Sequence, residues 1–590
     1  MNLDTLLTRL EFAQILRRVE DHDLTYSFHH TLTQEVAYES LLKQDRKRLH
    51  LLVGEVLERM YPDVADSREL APMLAQHFDE AEDARALKYF AIAGDSAARV
   101  YANAEAVMHY TRALQISAPL SLTGLGVEMT DLYLKCGRVL ELCGRYDDAA
   151  QNYVEMETRA RERGDRAMQL AALMARATIH STLTAKFDPQ QGELLSDQAL
   201  ALATELDDKT AAAKILWNLM LLEMSVGHQQ ESVMFGERSL AIARELDLRE
   251  QLAYTLNDIS RAYAMSGQTD RALAALAEAR EFWNATDNLP MLTDNLSSMA
   301  LIYFMLGDYE KNIAFAQQAR QMSREIGNLW GESYALETLG YTYLELGDLA
   351  RAIEMLEEAA RLGDQVGFLD AMLGARAYLA LVYANLGARD RALELLDTVL
   401  RRVQQLGIDA NSLLPQTVLA YWHIERNDLA AADALIEQVS RNLKPEEMTS
   451  SLPLFILLAE GELAMKKQEY DRAVATMDKF ISWMDKIGFS LLLPDTLHLK
   501  SRALIEQGRL DEAHATLKQA RSAATNSRRM LWQILGAMSR IQAERGNPAE
   551  ARALRAQARE ILEFIADHTP PDLRASFLNQ PDARAVLDTK

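Results

Sequence analysis

Four glycines, Gly267, Gly307, Gly347 and Gly387, stand 40 residues apart in the stretches AMSGQTDRALAAL, FMLGDYEKNIAFA, LELGDLARAIEML and ANLGARDRALELL. A period between 20 and 50 residues constrains a chain to a stack of supersecondary units, because one such unit cannot bury its apolar face alone. From Tyr254 to Gly407 the unit is stated four times, and the rest of the 590 residues read as extensions of it. Length here counts repeats rather than separate cores.

The unit can be read residue by residue. Seven positions before each turn glycine stands a small residue: Ser260, Ala300, Gly340, Ala380 and, one period on, Ala420. Four before it stands an aromatic, Tyr263, Tyr303, Tyr343 and Tyr383, then His423; five after it stands Ala272, Ala352, Ala392 or Ala432, with Asn312 the exception. Small residues where two helices cross let their axes come within about 8–10 Å. The glycine ends the first helix, A, where a left-handed residue costs least. The second helix, B, runs on to a second punctuation at Ile326-Gly327, Val366-Gly367, Leu406-Gly407 and Ile487-Gly488. With 49% hydrophobic residues, many strong helix formers and only 13 prolines, the expectation is an all-α protein of antiparallel helix pairs.

Outside the regular array the pattern loosens without disappearing. Ala86, Phe90 and Ala93, then Ala106, Tyr110 and Ala113, carry the small/large/small spacing of a B helix, and a connector is expected from Pro119 to Gly126. Further turns fall at Gly144, near Phe187-Asp-Pro189, at Gly227 (with Ser232 in the alanine position), Asn427-Asp428, Gln468, Gly508 and Gly546. After His568 two prolines stop the array, and a helix with Leu573, Phe577 and Leu578 is expected to cap its last face. At the other end, LDTLLTRLEFAQILRRV reads as one amphipathic helix with Leu3, Leu6, Leu7, Leu10 and Ile15 on one side; Leu24, Tyr26 and Phe28 then alternate as a strand before the pattern returns to helix. The expected divisions are 1–62, a winged-helix-like segment; 66–118, divergent helical repeats; 126–567, the solenoid; and 568–590, a capping helix and tail.

The repeat unit resembles the tetratricopeptide family over about 500 residues, departing from it in length, 40 against 34, and in lacking a proline that closes helix B. That resemblance implies a right-handed superhelical solenoid. The run Tyr26-Ser-Phe28-His-His30, Gln34-Glu-Val-Ala-Tyr38, Ser40-Leu-Leu42, Arg46 and His50 resembles the segment that follows the ATPase core in bacterial signalling proteins of the STAND class, including the cyclase-linked ATPases. In that class a winged helix joins a nucleotide-binding module to a long helical-repeat region, so the resemblance implies a sensing arm. Among the 26 glycines none is followed by lysine, so this sequence holds no G-x-x-x-x-G-K-[ST] loop to cradle phosphates. The ATPase is expected before residue 1, lost, or on another polypeptide.

No catalytic constellation emerges, and the expectation is a non-enzyme without cofactor or metal. The 12 histidines are scattered, with no H-E-x-x-H or Cys/His spacing. Gly331-Glu-Ser333 lacks the second glycine and the strand-to-helix turn of a nucleophile elbow. A net charge of −23 repels phosphate backbones and argues against nucleic acid; no run approaches the ~18 apolar residues of a membrane span. Cys136 and Cys143, two helical turns and about 10 Å apart, are too far for a disulfide. Reduced cysteines and the lack of a signal sequence point to a cytoplasmic protein. Function is then expected on the concave face, lined by the A helices. Projected from the turn glycines, that face includes Tyr254, Asn257, Arg261, Phe304, Tyr334, Glu337, Tyr341 and Tyr421. Aromatics supply area and polar groups fix orientation, which suits a protein or peptide segment. The partner is expected to be a protein or peptide, with a separate ATPase or regulator subunit as a further candidate. A small-ligand receptor for a sugar or metabolite, and a fragment of an ATP-dependent signalling enzyme, are the alternatives.

Overall fold

The computed structural model describes residues 3–18, 26–61, 70–117, 128–405, 413–442, 452–487 and 490–588. These are helical apart from one two-stranded hairpin and one isolated bridge, and they divide into two compact units, Met1–Leu140 and Glu141–Lys590.

The first unit opens with helix Leu3–Phe12, followed by the antiparallel strands β1 (Leu16–Arg18) and β2 (Tyr26–Phe28), with Leu16 opposite Phe28. The sequence pattern extends that helix through Val19, which lies outside the described residues. Gln14, at φ 55°, turns the chain instead, and the alternating Tyr26–Phe28 segment offers the following residues a ladder that a lone helix end lacks. Ile15 accepts from the backbone of His29 at 2.9 Å, extending that ladder; Leu24 lies outside the described residues. Helices Thr31–Glu39 and Lys43–Met60 follow. The spacing of Tyr38 and His50 becomes a contact: Tyr38 Oη lies 3.0 Å from His50 Nε2, and His50 Nδ1 2.8 Å from His77 Nδ1. Further on, helices Arg85–Ala98 and Asn103–Ser117 lie so close that a Cβ on Gly94 would sit 2.5 Å from the Tyr110 ring. The expected connector, Pro119 to Gly126, is outside the described residues.

In the second unit the 40-residue spacing becomes helix pairs: Arg249–Met265 with Thr269–Ala285, Leu289–Met305 with Tyr309–Glu325, and Leu329–Leu346 with Leu349–Val366. One π-helical turn, Asp370–Gly374, then leads into Ala375–Asn385, which pairs with Arg389–Gln405. The turn glycines are left-handed, with φ between 71° and 77° from Gly267 to Gly387. Asn427 and Gln468 hold the same conformation at their turns, φ 61° and 60°. The second punctuation works through a different pair of residues. Asp247, Asp287 and Gly327 are left-handed at the end of helix B, and Asn288 and Asn328 then cap the next helix by accepting from the backbone of Met291 and Gly331. Gly407 and Gly488 fall outside the described residues.

The small and aromatic positions have physical counterparts. A Cβ on Gly340 would stand 2.6 Å from Leu356 Cγ, so the helix pair closes to contact there. The two polar exceptions at the alanine position act alike: Asn312 donates to the Ala300 carbonyl at 2.8 Å and Ser232 to the Met220 carbonyl at 2.9 Å. Each tyrosine four before the turn is covered by the cation four after it, Arg271 on Tyr263, Lys311 on Tyr303, Arg351 on Tyr343 and Arg391 on Tyr383, at 4.2 to 5.6 Å.

This second unit also winds back on itself. Asn526 donates to the Gly307 carbonyl at 3.0 Å, Ala350 to the His568 carbonyl at 2.8 Å, and Gln580 to the Asn385 carbonyl at 2.7 Å. The A-to-B turns at Gly307, Gly347 and Gly387 are thus each received by chain 190 to 220 positions later. Thr184 likewise bridges Phe368, and Ala185 donates to the Gly367 carbonyl at 2.9 Å. Helices Pro571–Leu578 and Pro581–Leu587, with Leu573 and Phe577 buried, close the array and dock on the Gly387 turn.

Candidate binding face

Three consecutive A helices, and Leu413–Glu425 further on, present the residues singled out in the sequence. Tyr254 lies between Trp217 and Trp283, with ring centroids 5.8 and 4.9 Å away. Arg261, one turn from Asp258 on the same helix, feels the charges of Asp258, Asp294 and Asp370 and the hydroxyl of Tyr334, so side chains from positions 258 to 370 converge on one region. Tyr334 packs its ring against Trp330 and Phe368. Its hydroxyl, near Ser298, has no well-formed hydrogen bond although the residue is only 4% exposed. Tyr341 donates to the Glu337 carboxylate and stacks on Tyr378 with centroids 3.9 Å apart.

Three of the singled-out residues are placed differently. Asn257 is fully buried between hairpins: it donates to Asp294 at 2.6 Å and accepts from Asn295 at 2.9 Å. Phe304 is buried against Tyr309 and Tyr341. Tyr421 is under the influence of Glu462 and Asp495 rather than of the Arg261 group.

Four members of the convergent group were not singled out: Asp258, Asp294, Tyr378 and Asp370. Asp294 stands 13 positions before its turn glycine, the register of Tyr254 and Tyr334, and Asp258 and Tyr378 both stand nine before theirs. Admitting acidic residues at that register finds Asp294, whereas Asp258 and Tyr378 sit one position past the register of Asn257 and Glu337. Asp370 has no such signal, because the π turn that carries it breaks the 3.6-residue periodicity.

The region is acidic and graded in exposure: Glu337 is buried, Asp258, Arg261 and Asp294 are half-buried, and Asp370 is exposed. Burial, with Asp370 adding its charge, pushes the Glu337 carboxyl up to about 8. Burial likewise raises Asp258, and the Arg261 guanidinium acts against it. Asp258 also accepts from Trp217 Nε1 at 2.8 Å. Gly374 is the one residue that lets the next helix come this near: a Cβ there would stand 2.8 Å from Glu337 Oε1. Among the described residues no group of three or more His, Cys, Asp or Glu side chains could hold a metal ion, and no helix is long and apolar enough to cross a membrane. What four carboxyls, one guanidinium and a row of tyrosines can do is hold a cationic group while stacking on its neighbours.

A model of the tetratricopeptide repeat family matches residues 292–365. No curated protein matches the chain. Among solved structures, the chain is similar to a Rap protein complexed with competence and sporulation factor, at 13% identity, covering 61% of this chain and 98% of that one, with a TM-score of 0.48. It is also similar to the Cut9–Hcn1 hetero-tetramer of the APC/C, at 14% identity, 91% and 99% coverage and a TM-score of 0.47. A third is a Signal Transduction ATPase with Numerous Domains protein with a tetratricopeptide repeat sensor, from Pyrococcus horikoshii, at 14% identity, 65% and 55% coverage and a TM-score of 0.38.

Proposed function

We propose that this chain is a non-enzymatic interaction scaffold that holds an extended, basic segment of a protein partner against the face formed by Asp258, Arg261, Asp294, Tyr334, Glu337 and Asp370. The observation that carries the reading is the convergence of four carboxyls and a single guanidinium, contributed by four successive A helices, beside stacked tyrosines. The aspartates among them, held by rigid helices, pair with lysine or arginine without ordering a loop, which keeps the entropic cost of binding low. Glu337, which keeps its proton up to about pH 8, adds a neutral hydrogen-bonding group beside them. The tetratricopeptide match at residues 292–365 supports the scaffold class.

A finer reading follows from the Tyr26-to-His50 run: the scaffold is the sensing arm of a cytoplasmic signalling assembly and works with a separate ATPase or regulator subunit. What supports it is the resemblance of that run to the STAND class.

Fluorescence anisotropy with labelled decapeptide pools tests the binding reading. Pools containing two lysines or arginines bind the parent, pools containing two aspartates do not, and the double variant Asp258→Asn/Asp370→Asn weakens the basic pools about tenfold or more, since each charge-assisted bond is worth about 1.5–3 kcal/mol. Equal binding of acidic and basic pools, or no loss in the variant, removes the face from the argument.

A further inference from the structure

A second site is built by later helices of the array, and its chemistry is opposite to that of the acidic face. Helices Leu493–Glu506, Arg528–Glu544, Pro548–Asp567 and Pro581–Leu587 enclose a cavity of about 50 Å³, lined by His498, Arg502, Arg540, Arg555, Trp532 and Asp582 among others. One water needs roughly 10–15 Å³ of such space, so the cavity holds a few waters or one small polyatomic ion.

In a chain of net charge −23, three guanidinium groups around one small cavity need a reason. Arg502 is paired, donating to Glu462 at 2.9 Å. Among the described residues, Arg540 and Arg555 make no hydrogen bond or ion pair; Arg540 is exposed at the mouth and Arg555 is half-buried. The imidazole lining the same cavity is the second observation. His498 is 7% exposed, and its Nδ1 has no hydrogen-bond partner. Burial, then the charges of Arg502 and Arg540, push its pKa down to about 3, as happens where positive potential is left uncompensated. The other polar group close by is already used, since Ser539 donates to the Ala551 carbonyl at 2.7 Å. Asp582 is the single acidic residue of the lining and is solvent-exposed on the short last helix.

We infer that this cavity is an oxyanion site, built for phosphate or the terminal phosphate of a monoester, with Arg540 and Arg555 as the charge-bearing donors and His498 as the buried donor at its floor. Guanidinium groups present paired N–H donors that match the oxygens of a tetrahedral anion, and a desolvated imidazole adds direction. The cavity size admits the phosphoryl group and leaves an organic substituent at the mouth. The site is independent of the acidic face and of the reading given to it.

Titration calorimetry at constant ionic strength, with inorganic phosphate in one series and phenyl phosphate in another, tests this on the full chain. The imidazole carbon resonance of His498 is followed in parallel. Phosphate is expected to give saturable heat and to move the His498 resonance, and chloride at the same ionic strength to do neither. Arg540→Gln/Arg555→Gln weakens binding by about tenfold or more, given about 1.5–3 kcal/mol for a hydrogen bond to a charged group. Arg521→Gln, at an exposed arginine elsewhere on the array, leaves binding unchanged. Saturation by phenyl phosphate as tight as by phosphate assigns the site to monoesters, and binding of phosphate alone assigns it to the free ion. If chloride moves the His498 resonance equally, or the double variant with native circular dichroism binds as the parent does, the inference is overturned.

Discussion

The guanidinium of Arg529 donates to the Glu345 carboxylate at 2.7 Å, although 184 positions of chain separate the two residues. Arg529 also forms two parallel bonds to Asp495, at 2.7 and 2.9 Å, and Ser527 donates to the second oxygen of Glu345 at 2.5 Å. All three charged side chains are largely removed from water, at 11%, 11% and 19% exposure. Helix Leu329–Leu346 and helix Arg528–Glu544 are therefore joined by a buried charge triad. The three turns received by later chain are held at the same seam.

Breaking that triad from one side should be costly. Arg529→Met leaves Glu345 and Asp495 buried, facing each other and without a cation. The expected loss is about 3–5 kcal/mol, read as a lower urea midpoint. Adding Glu345→Gln relieves one of the two stranded charges and should recover part of the loss. A midpoint unchanged in Arg529→Met would mean that the two segments are held by their apolar contacts alone.

The seam also marks where reading the sequence stops. Gly267 to Gly387 announce the helix pairs because a left-handed turn demands glycine at each repeat, and the small residue at Gly340 announces a close crossing because Leu356 leaves no room for a Cβ. Such signals are local, encoded within one unit. The contact of Glu345 with Arg529 depends on how small rotations between units add up over some four or five repeats, and no single position carries that sum. The candidate face was half legible for a related reason. Tyr334, Glu337 and Arg261 follow the helical register, whereas Asp370 arrives through a π turn, and Asn257 and Phe304 share the register yet are covered by neighbouring hairpins.

Glu337 should make the fold sensitive to pH in the direction opposite to an ion-paired carboxylate. Its carboxyl is raised from 4.5 to about 8 by burial and by Asp370. Between these values the folded chain keeps a proton that the unfolded chain releases, so the folded state binds more protons and stability falls as pH rises. The contribution is complete below about 4.5 and is lost by about 8, with a slope of at most about 1.4 kcal/mol per pH unit. Asp258, raised by burial, acts in the same direction. Glu337→Gln keeps an acceptor for Tyr341 and removes the titration. Melting temperature followed from about pH 5 to 9 should fall less steeply in the variant, which becomes the more stable protein at the alkaline end; superimposable profiles would contradict the assignment.

Turn positions separate backbone strain from steric crowding. Gly307, at φ 71°, has nothing within 4 Å of a would-be Cβ, so Gly307→Ala should cost about 1–2 kcal/mol, the price of a left-handed L-residue. Gly347 has the same backbone but would place a Cβ 2.7 Å from Ile565 Cγ1, so Gly347→Ala adds overpacking, about 1–3 kcal/mol more. Gln468 is the converse case, a long side chain at φ 60°; Gln468→Gly should stabilise by up to about 1 kcal/mol. Thermal midpoints of the three variants should rank Gln468→Gly above the parent, then Gly307→Ala, then Gly347→Ala. Equal losses in the two alanine variants would show that the seam yields at Ile565.

Asn257 separates a structural role from recognition. Its amide donates to Asp294 and its oxygen accepts from Asn295, whose own amide also donates to the Leu276 carbonyl at 3.0 Å, so one buried amide ties two consecutive A helices to the B helix between them. Asn257→Leu is near it in volume but strips both bonds, leaving the Asn295 amide with one partner fewer and Asp294 without its closest donor. An unsatisfied buried polar group costs about 1–3 kcal/mol, and amide hydrogen exchange should quicken first in Arg249–Met265 and Leu289–Met305 rather than across the whole array. Asp294→Asn, which keeps the geometry and removes a charge, should leave exchange near the parent's while weakening basic peptides. If instead Asn257→Leu retains native exchange rates and loses peptide affinity, the amide belongs to the ligand face and the inter-helix tie is dispensable.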